Sequence, residues 1–217
     1  MENRVSVFKR MSQFIVALGL VVLVLPAIAV EPADRGKVLT EACAACHAVD
    51  GNSLAPAFPK LAGQGEKYLL KQLNDIKSGA RSVPQMAGQL DKLSKADLAS
   101  IAAYYSSQKM TLSGVKDDKE LLALGRKIYM AGNKEAGVPA CSGCHSPTGF
   151  GIPQGGFPKL GGQYADYIAK QLNDFRTGAE YTDKGRHNDN ESIMREGVKR
   201  MSEREIEAVA NYISGLH

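Results

Sequence analysis

The chain holds four cysteines, and all four fall in two copies of one pattern: Cys43-Ala44-Ala45-Cys46-His47 and Cys141-Ser142-Gly143-Cys144-His145. Two thiols three positions apart stand about one helical turn from each other. That separation matches the two vinyl groups of a haem, and thioether formation at both delivers the adjacent histidine to one face of the iron. Cys-x-x-Cys-His is the attachment pattern of c-type haem. A thioredoxin-like redox pair and a four-cysteine zinc site also use paired cysteines. Both leave His47 and His145 unexplained, and a zinc ribbon suits a reducing compartment better than the exported one argued below. The doubled pattern predicts two covalently bound haem c groups, attached at Cys43, Cys46, Cys141 and Cys144, with His47 and His145 as iron ligands and no disulfide.

The occupant of the sixth iron position decides between electron transfer and catalysis. A His/Met pair fills both axial sites, raises the reduction potential and leaves no place for a substrate. Beyond residue 29 the chain has five methionines: Met86, Met110, Met130, Met194 and Met201. Methionine is more often packing than ligand, so register must choose among them. Met86 stands eight residues before Ser94, and Met194 stands eight before Ser202. The offset between the two copies is 98 at the cysteines, 99 at a Phe-Pro motif and 108 at these serines. An offset of 108 carries Met86 onto Met194 and takes Met201 back to Leu93. Met86 and Met194 are therefore the expected ligands, and Met201 is expected to pack just before a helix cap. His187, in the polar segment 182–190, and the terminal His217 are expected to be incidental, and no catalytic residue is expected.

The elements that must position these groups are themselves repeated. Phe58-Pro59-Lys60-Leu61 returns as Phe157-Pro158-Lys159-Leu160, and 14 of 23 positions are identical between residues 58–80 and 157–179. Such self-similarity marks a duplicated unit, with domains expected over 30–112 and 120–217 and a polar linker over 113–119. Each unit reads as three helices with a long loop on either side of the middle one. The first helix runs from about Asp34 into the cysteine motif; its counterpart starts near Asp117, continues past Ile128 and breaks at the inserted segment 133–139. The middle helix carries Leu69, Leu73 and Ile76, matched by Ile168, Leu172 and Phe175. The last carries Leu98, Ile101, Ala102 and Tyr105, matched by Ile206, Val209, Ala210 and Ile213. These stripes are expected to form core, behind N-caps at Ser94 and Ser202, the latter in a capping box with Glu205. The fold class is all-α. Loops of this length normally argue against an assignment, but a haem supplies the apolar core that a ~90-residue half would lack.

Arg4, Lys9 and Arg10 precede an apolar run over residues 14–25, too short for the ~20 residues of a membrane-spanning helix. Ala27-Ile28-Ala29 then offers the small residues a signal peptidase reads, so residues 1–29 are expected to be a signal peptide cleaved after Ala29, rather than a retained anchor. The expected location is the periplasm. Removing this segment lowers the net charge from +4 to +2; residues 30–113 hold ten basic against eight acidic side chains, and 114–217 hold fourteen of each. That balance gives no case for nucleic acid or other polyanions as partners, and none is expected.

The doubled Cys-x-x-Cys-His, the doubled Phe-Pro-Lys-Leu-x-Gly-Gln, the Met-bearing loop and the final helix with Tyr104 or Tyr212 together resemble the cytochrome c4 family. The resemblance implies two class I cytochrome c domains in tandem, each with one His/Met-ligated haem. It implies that Gly36 packs against Tyr104 or Tyr105, that Gly125 packs against Tyr212, and that the Pro59 and Pro158 carbonyls hold the histidine rings. Arg81 matches a haem-propionate contact; the second half has Glu180 there, in a loop (178–194) nine residues longer than 79–86, with Arg186 as the candidate substitute. The implied function is an electron carrier, not an enzyme, between a quinol-oxidising complex and a terminal oxidase. The alternative is a di-haem electron-accepting subunit of a periplasmic dehydrogenase. A di-haem peroxidase or thiosulfate-oxidising enzyme would need an open iron or an unusual ligand such as a spare cysteine. Redox proteins are the expected partners, with peripheral membrane association left open. The extra positive charge of the first half and its Arg81 predict the higher potential for the first haem.

Overall fold

The computed structural model describes residues 32–217; the signal-peptide reading of residues 1–29 lies outside the described residues. Among the described residues the regular elements are helices, with two isolated antiparallel bridges, Asn133 to Val138 and Ile152 to Phe157. In the first half, α1 is Pro32–Leu39, α2 Ala44–His47, α3 Glu66–Ser78 and α4 Lys95–Ser107. In the second, α5 is Lys119–Ala131, α6 Ser142–His145, α7 Ala165–Glu180, α8 Ile193–Val198 and α9 Glu203–Ser214. The all-α expectation and the tandem arrangement hold.

The first helix differs from its expected extent. It stops at Leu39, and residues 40–43 turn before α2 begins. Thr40 sits at the stop: its N–H still donates to Gly36 O at 2.9 Å, and its hydroxyl donates to the Lys37 carbonyl at 2.9 Å. In the second half α5 ends at Gly132, whose φ of 72° favours glycine. The inserted segment then closes on itself through the Asn133–Val138 bridge, so the expected break is present.

Both last helices begin with a reciprocal capping box, Ser94 with Asp97 and Ser202 with Glu205. Each last helix crosses the first helix of its own half at a glycine. A Cβ on Gly36 would meet Ser100 O at 2.0 Å and Tyr104 Cβ at 2.6 Å; one on Gly125 would meet Ala208 O at 2.1 Å and Tyr212 Cβ at 2.7 Å. Only hydrogen allows backbones that close. Tyr104, rather than Tyr105, is thus the partner of Gly36. Ile206, Val209, Ala210 and Ile213 are all at most 2% exposed and form the centre of the second core.

Candidate haem sites

Each Cys-x-x-Cys-His pattern forms one tight helical turn, with its histidine buried and its cysteines unpaired. The residue after each histidine takes an unusual backbone, φ 61° at Ala48 and φ 64° at Ser146. Such values are costly outside glycine and cluster at functional sites; here they turn the chain sharply away from both rings. The rings are fixed from behind. His47 Nδ1 lies 3.0 Å from Pro59 O, and His145 Nδ1 lies 3.0 Å from Pro158 O. A carbonyl only accepts, so the proton sits on Nδ1 and the Nε2 lone pair faces forward. Burial pushes both imidazoles below their ordinary pKa, which keeps them neutral and able to bind metal.

The proline carbonyls are held in turn by the loop backbone. Leu61 and Ala62 N–H donate to Gly51 O, and Leu160 and Gly161 N–H donate to Gly149 O. Phe58 and Phe157 set their rings 6.2 Å from the two imidazoles in edge-on contact. The role of these phenylalanines was not read from the sequence, although their place in the repeat was the available signal.

A cavity of about 1070 Å³ runs across both halves and is bordered by all four cysteines and both histidines. Its walls include residues of the two cores. Leu69 of α3 and Ile168, Leu172 and Phe175 of α7 are buried in the two cores, as expected, and all of them, with Leu73 and Ile76, also border this cavity. Leu73 and Ile76 are half-buried. Met86, Met194 and Met201 border the cavity, whereas Met110 and Met130 do not. Met86 ends the 3-10 turn Pro84–Met86, but Met194 stands on α8, where a loop was expected. Met201 is 3% exposed and belongs to the second core. Its carbonyl accepts from Arg176 at 2.8 Å, while Lys77, the counterpart of Arg176 at offset 99, donates to the Leu93 carbonyl. Met201 and Leu93 thus hold equivalent places.

Between the halves lies a nearly symmetrical polar cluster. Arg81 donates to Gln72 Oε1 and Gln171 Oε1 at 2.8 Å each, and to Tyr167 Oη at 3.0 Å. Arg186 donates to Gln171 Oε1 at 2.6 Å, Gln72 Oε1 at 2.9 Å and Tyr68 Oη at 3.5 Å. The backbone agrees: Arg81 N–H donates to Asp75 O and Arg186 N–H to Asp174 O. Arg186 therefore occupies the position of Arg81, and Glu180 is exposed at the end of α7. The asymmetry read from Arg81 against Glu180 is absent. Neither arginine has a carboxylate partner among the described residues. Burial alone would raise the Tyr68 hydroxyl, but Arg186 and Arg81 draw it below its ordinary value. The cluster is built to receive negative charge.

His187 donates its Nε2–H to Tyr181 O, 2.8 Å away, and His217 donates its Nδ1–H to Gly215 O in its own turn. Among the described residues no helix is long and apolar enough to cross a membrane.

The residues present fit two haems. His145 Nε2 is buried with no hydrogen-bond partner, as a metal-directed nitrogen would be. The cavity is bordered by apolar side chains, by the thiols, and by two arginines without carboxylate partners that could hold acidic substituents of such a group.

Comparison with known proteins agrees. The family model for cytochrome c matches residues 33–109 and 122–217. A cytochrome c4 of Pseudomonas aeruginosa is 49% identical over 210 residues, covering 96% of this chain and 99% of that one. The crystal structure of reduced recombinant cytochrome c4 from Pseudomonas stutzeri superposes with a TM-score of 0.78 at 49% identity, covering 85% of this chain and 98% of the other. A thiosulfate dehydrogenase electron acceptor of Stutzerimonas stutzeri is 34% identical over 196 residues, 86% of this chain and 88% of its own. With two haem-binding halves that repeat one another to the hydrogen bond, this chain belongs to the cytochrome c4 family and is a di-haem c-type electron carrier.

Proposed function

We propose that the protein is a periplasmic carrier whose irons are both closed by His/Met ligation, His47 with Met86 and His145 with Met194. Its domains span 30–112 and 120–217. When bound, each haem supplies a one-electron couple. The chain's own residues do the rest. Cys43, Cys46, Cys141 and Cys144 hold the groups as thioethers. The Pro59 and Pro158 carbonyls fix the imidazole tautomer, and apolar walls from the middle and last helices exclude water. Arg81 and Arg186 would hold haem propionates at the domain boundary. His/Met ligation by these residues would leave no iron position for a substrate, and the haems would supply electron transfer alone.

The observation that carries this reading is the shared register of the two methionines. Offset 108 is reproduced by both serine caps and by the paired contacts to Leu93 and Met201. Met201 thus corresponds to a leucine that cannot ligate, and this supports Met194. Carbon monoxide added to the reduced protein tests it: unchanged visible spectra are expected, and binding at either iron would open the route to an enzyme.

The expected donor and acceptor are a quinol-oxidising complex and a terminal oxidase. A second reading, the electron-accepting partner of a periplasmic dehydrogenase, draws on the 34% identity to a thiosulfate dehydrogenase electron acceptor. A pull-down from periplasm separates them, since a dehydrogenase recovered in stoichiometric amount favours the second.

A further inference from the structure

The peptide group that holds each histidine also makes a second bond, and that bond crosses to the other domain. Pro59 O faces His47 Nδ1 at 3.0 Å, while the N–H of the same peptide group, on Lys60, donates to Gln163 Oε1 at 2.9 Å. In the other half Pro158 O faces His145 Nδ1 at 3.0 Å, and Lys159 N–H donates to Gln64 Oε1 at 2.7 Å. Each glutamine completes the pair by donating Nε2 to the carbonyl of the same lysine, at 2.9 Å in both cases. Gln64 and Gln163 are 5% and 4% exposed, and their oxygens also accept from Gly65 N–H and Tyr164 N–H, both at 3.1 Å.

A hydrogen bond at the N–H end of a peptide polarises it and makes its carbonyl a stronger acceptor. A stronger acceptor draws the Nδ1 proton and gives the imidazole more anionic character, which raises its basicity as a ligand. A more basic ligand favours ferric iron, so the second-shell bond lowers the potential. We infer that Gln163 is a positioning residue for the axial histidine of the first haem and Gln64 for that of the second, so that each domain tunes the haem of the other. This rests on the reading of His47 and His145 as axial ligands. It gives the glutamine of the doubled Phe-Pro-Lys-Leu-x-Gly-Gln motif a task that simple adhesion between domains does not require.

The test uses the holoprotein with Gln163→Leu and Gln64→Leu. Haem-resolved redox titration by NMR is read alongside the histidine Nδ1 proton resonances of the reduced state. Gln163→Leu is expected to shift the reduced-to-oxidised ratio of the first haem about threefold toward reduced at fixed potential, roughly 28 mV for a one-electron couple. The second haem should move less, and the His47 Nδ1 resonance should move without that of His145. Gln64→Leu should give the mirror image. A larger shift at the haem of the mutated glutamine's own domain, equal shifts at both, or no shift at either would overturn the inference. Gln163→Asn and Gln64→Asn keep the amide but shorten it, and they carry the same crossed expectation if a leucine variant does not mature. Axial imidazole signals assigned in the unaltered protein separate the two levels. If they do not belong to His47 and His145, the ligand reading fails; if they do and the crossed shifts are missing, the inference alone fails.

Discussion

Replacing Gly125 by Ala puts a methyl 2.1 Å from Ala208 O and 2.7 Å from Tyr212 Cβ. A carbon beside a carbonyl oxygen rests at about 3.3 Å or more, so α5 and α9 must part by about 1.2 Å along that line. The obstructing atoms are a backbone oxygen and a Cβ, which cannot rotate aside. Overpacking costs about 1–3 kcal/mol, and a rigid clash belongs at the upper end. Removing a helix-interior glycine returns about 1 kcal/mol. The net loss is about 2 kcal/mol, or about 8–16 °C in the midpoint of a ~100-residue domain. Gly143→Ala is the control. Nothing lies within 4 Å of a Cβ there, and the first half has Ala45 at that place, so the effect should lie between zero and a gain of about 1 kcal/mol. Thermal melts of the holoprotein, followed by visible absorption and far-ultraviolet circular dichroism, provide the comparison. The Gly125→Ala loss should fall on the second domain, because α9 brings Val209 and Ile213 to the cavity wall. A midpoint for Gly125→Ala equal to or above that of Gly143→Ala would refute the close-crossing argument.

Arg186→Gln should lower the potential of the second haem by something on the order of tens of millivolts, since a partly screened cation beside the site is removed; an unchanged potential would deny Arg186 the place of Arg81. Asp97 is held down to about 2 by the Arg35 guanidinium and by the Ser94 hydroxyl and N–H. Its folded pKa is depressed, so the stability it adds is present above the ordinary carboxylate range near ~4 and is lost as pH falls through about 2. Asp97→Asn should flatten that part of the acid unfolding curve, and an unaltered curve would contradict the assignment. With Arg186 matching Arg81, only the difference in net charge still favours a higher potential for the first haem. The two potentials should therefore differ with the first the higher, and haem-resolved titration showing the reverse would defeat the charge argument.

Much of the site was legible because its chemistry is local. The cysteine spacing and the histidine beside it lie within five residues whose types leave little choice, whereas the proline and glycine contacts were implied by the family resemblance. The crossing at Gly36 left Tyr104 and Tyr105 open because adjacent residues on α4 point to different faces; the structure selects Tyr104, while Tyr105 borders the cavity. The place of Arg186 was obscured by the longer loop, which shifts the alignment. Gly178 and Gly185 resolve it: Gly178 lets the returning chain pass against α7, where a Cβ would meet Arg186 O at 2.4 Å, and Gly185 takes φ 81° to make the turn. The helical setting of Met194 was missed because α8 is only 6 residues long, too short for a periodicity to register. The crossed Gln64 and Gln163 bonds depend on how the two halves dock, which no pattern within either half encodes.

The most direct test of the closed-ligand account is iron X-ray absorption on the holoprotein and two variants. The unaltered protein should show one sulfur scatterer per iron. Met201→Leu should leave that ratio unchanged and, as a swap of similar volume, cost less than ~1.5 kcal/mol of stability. Met194→Ala should remove half of the iron–sulfur contribution and let cyanide or carbon monoxide bind one of the two irons. Loss of the signal in Met201→Leu with retention in Met194→Ala would contradict the assignment.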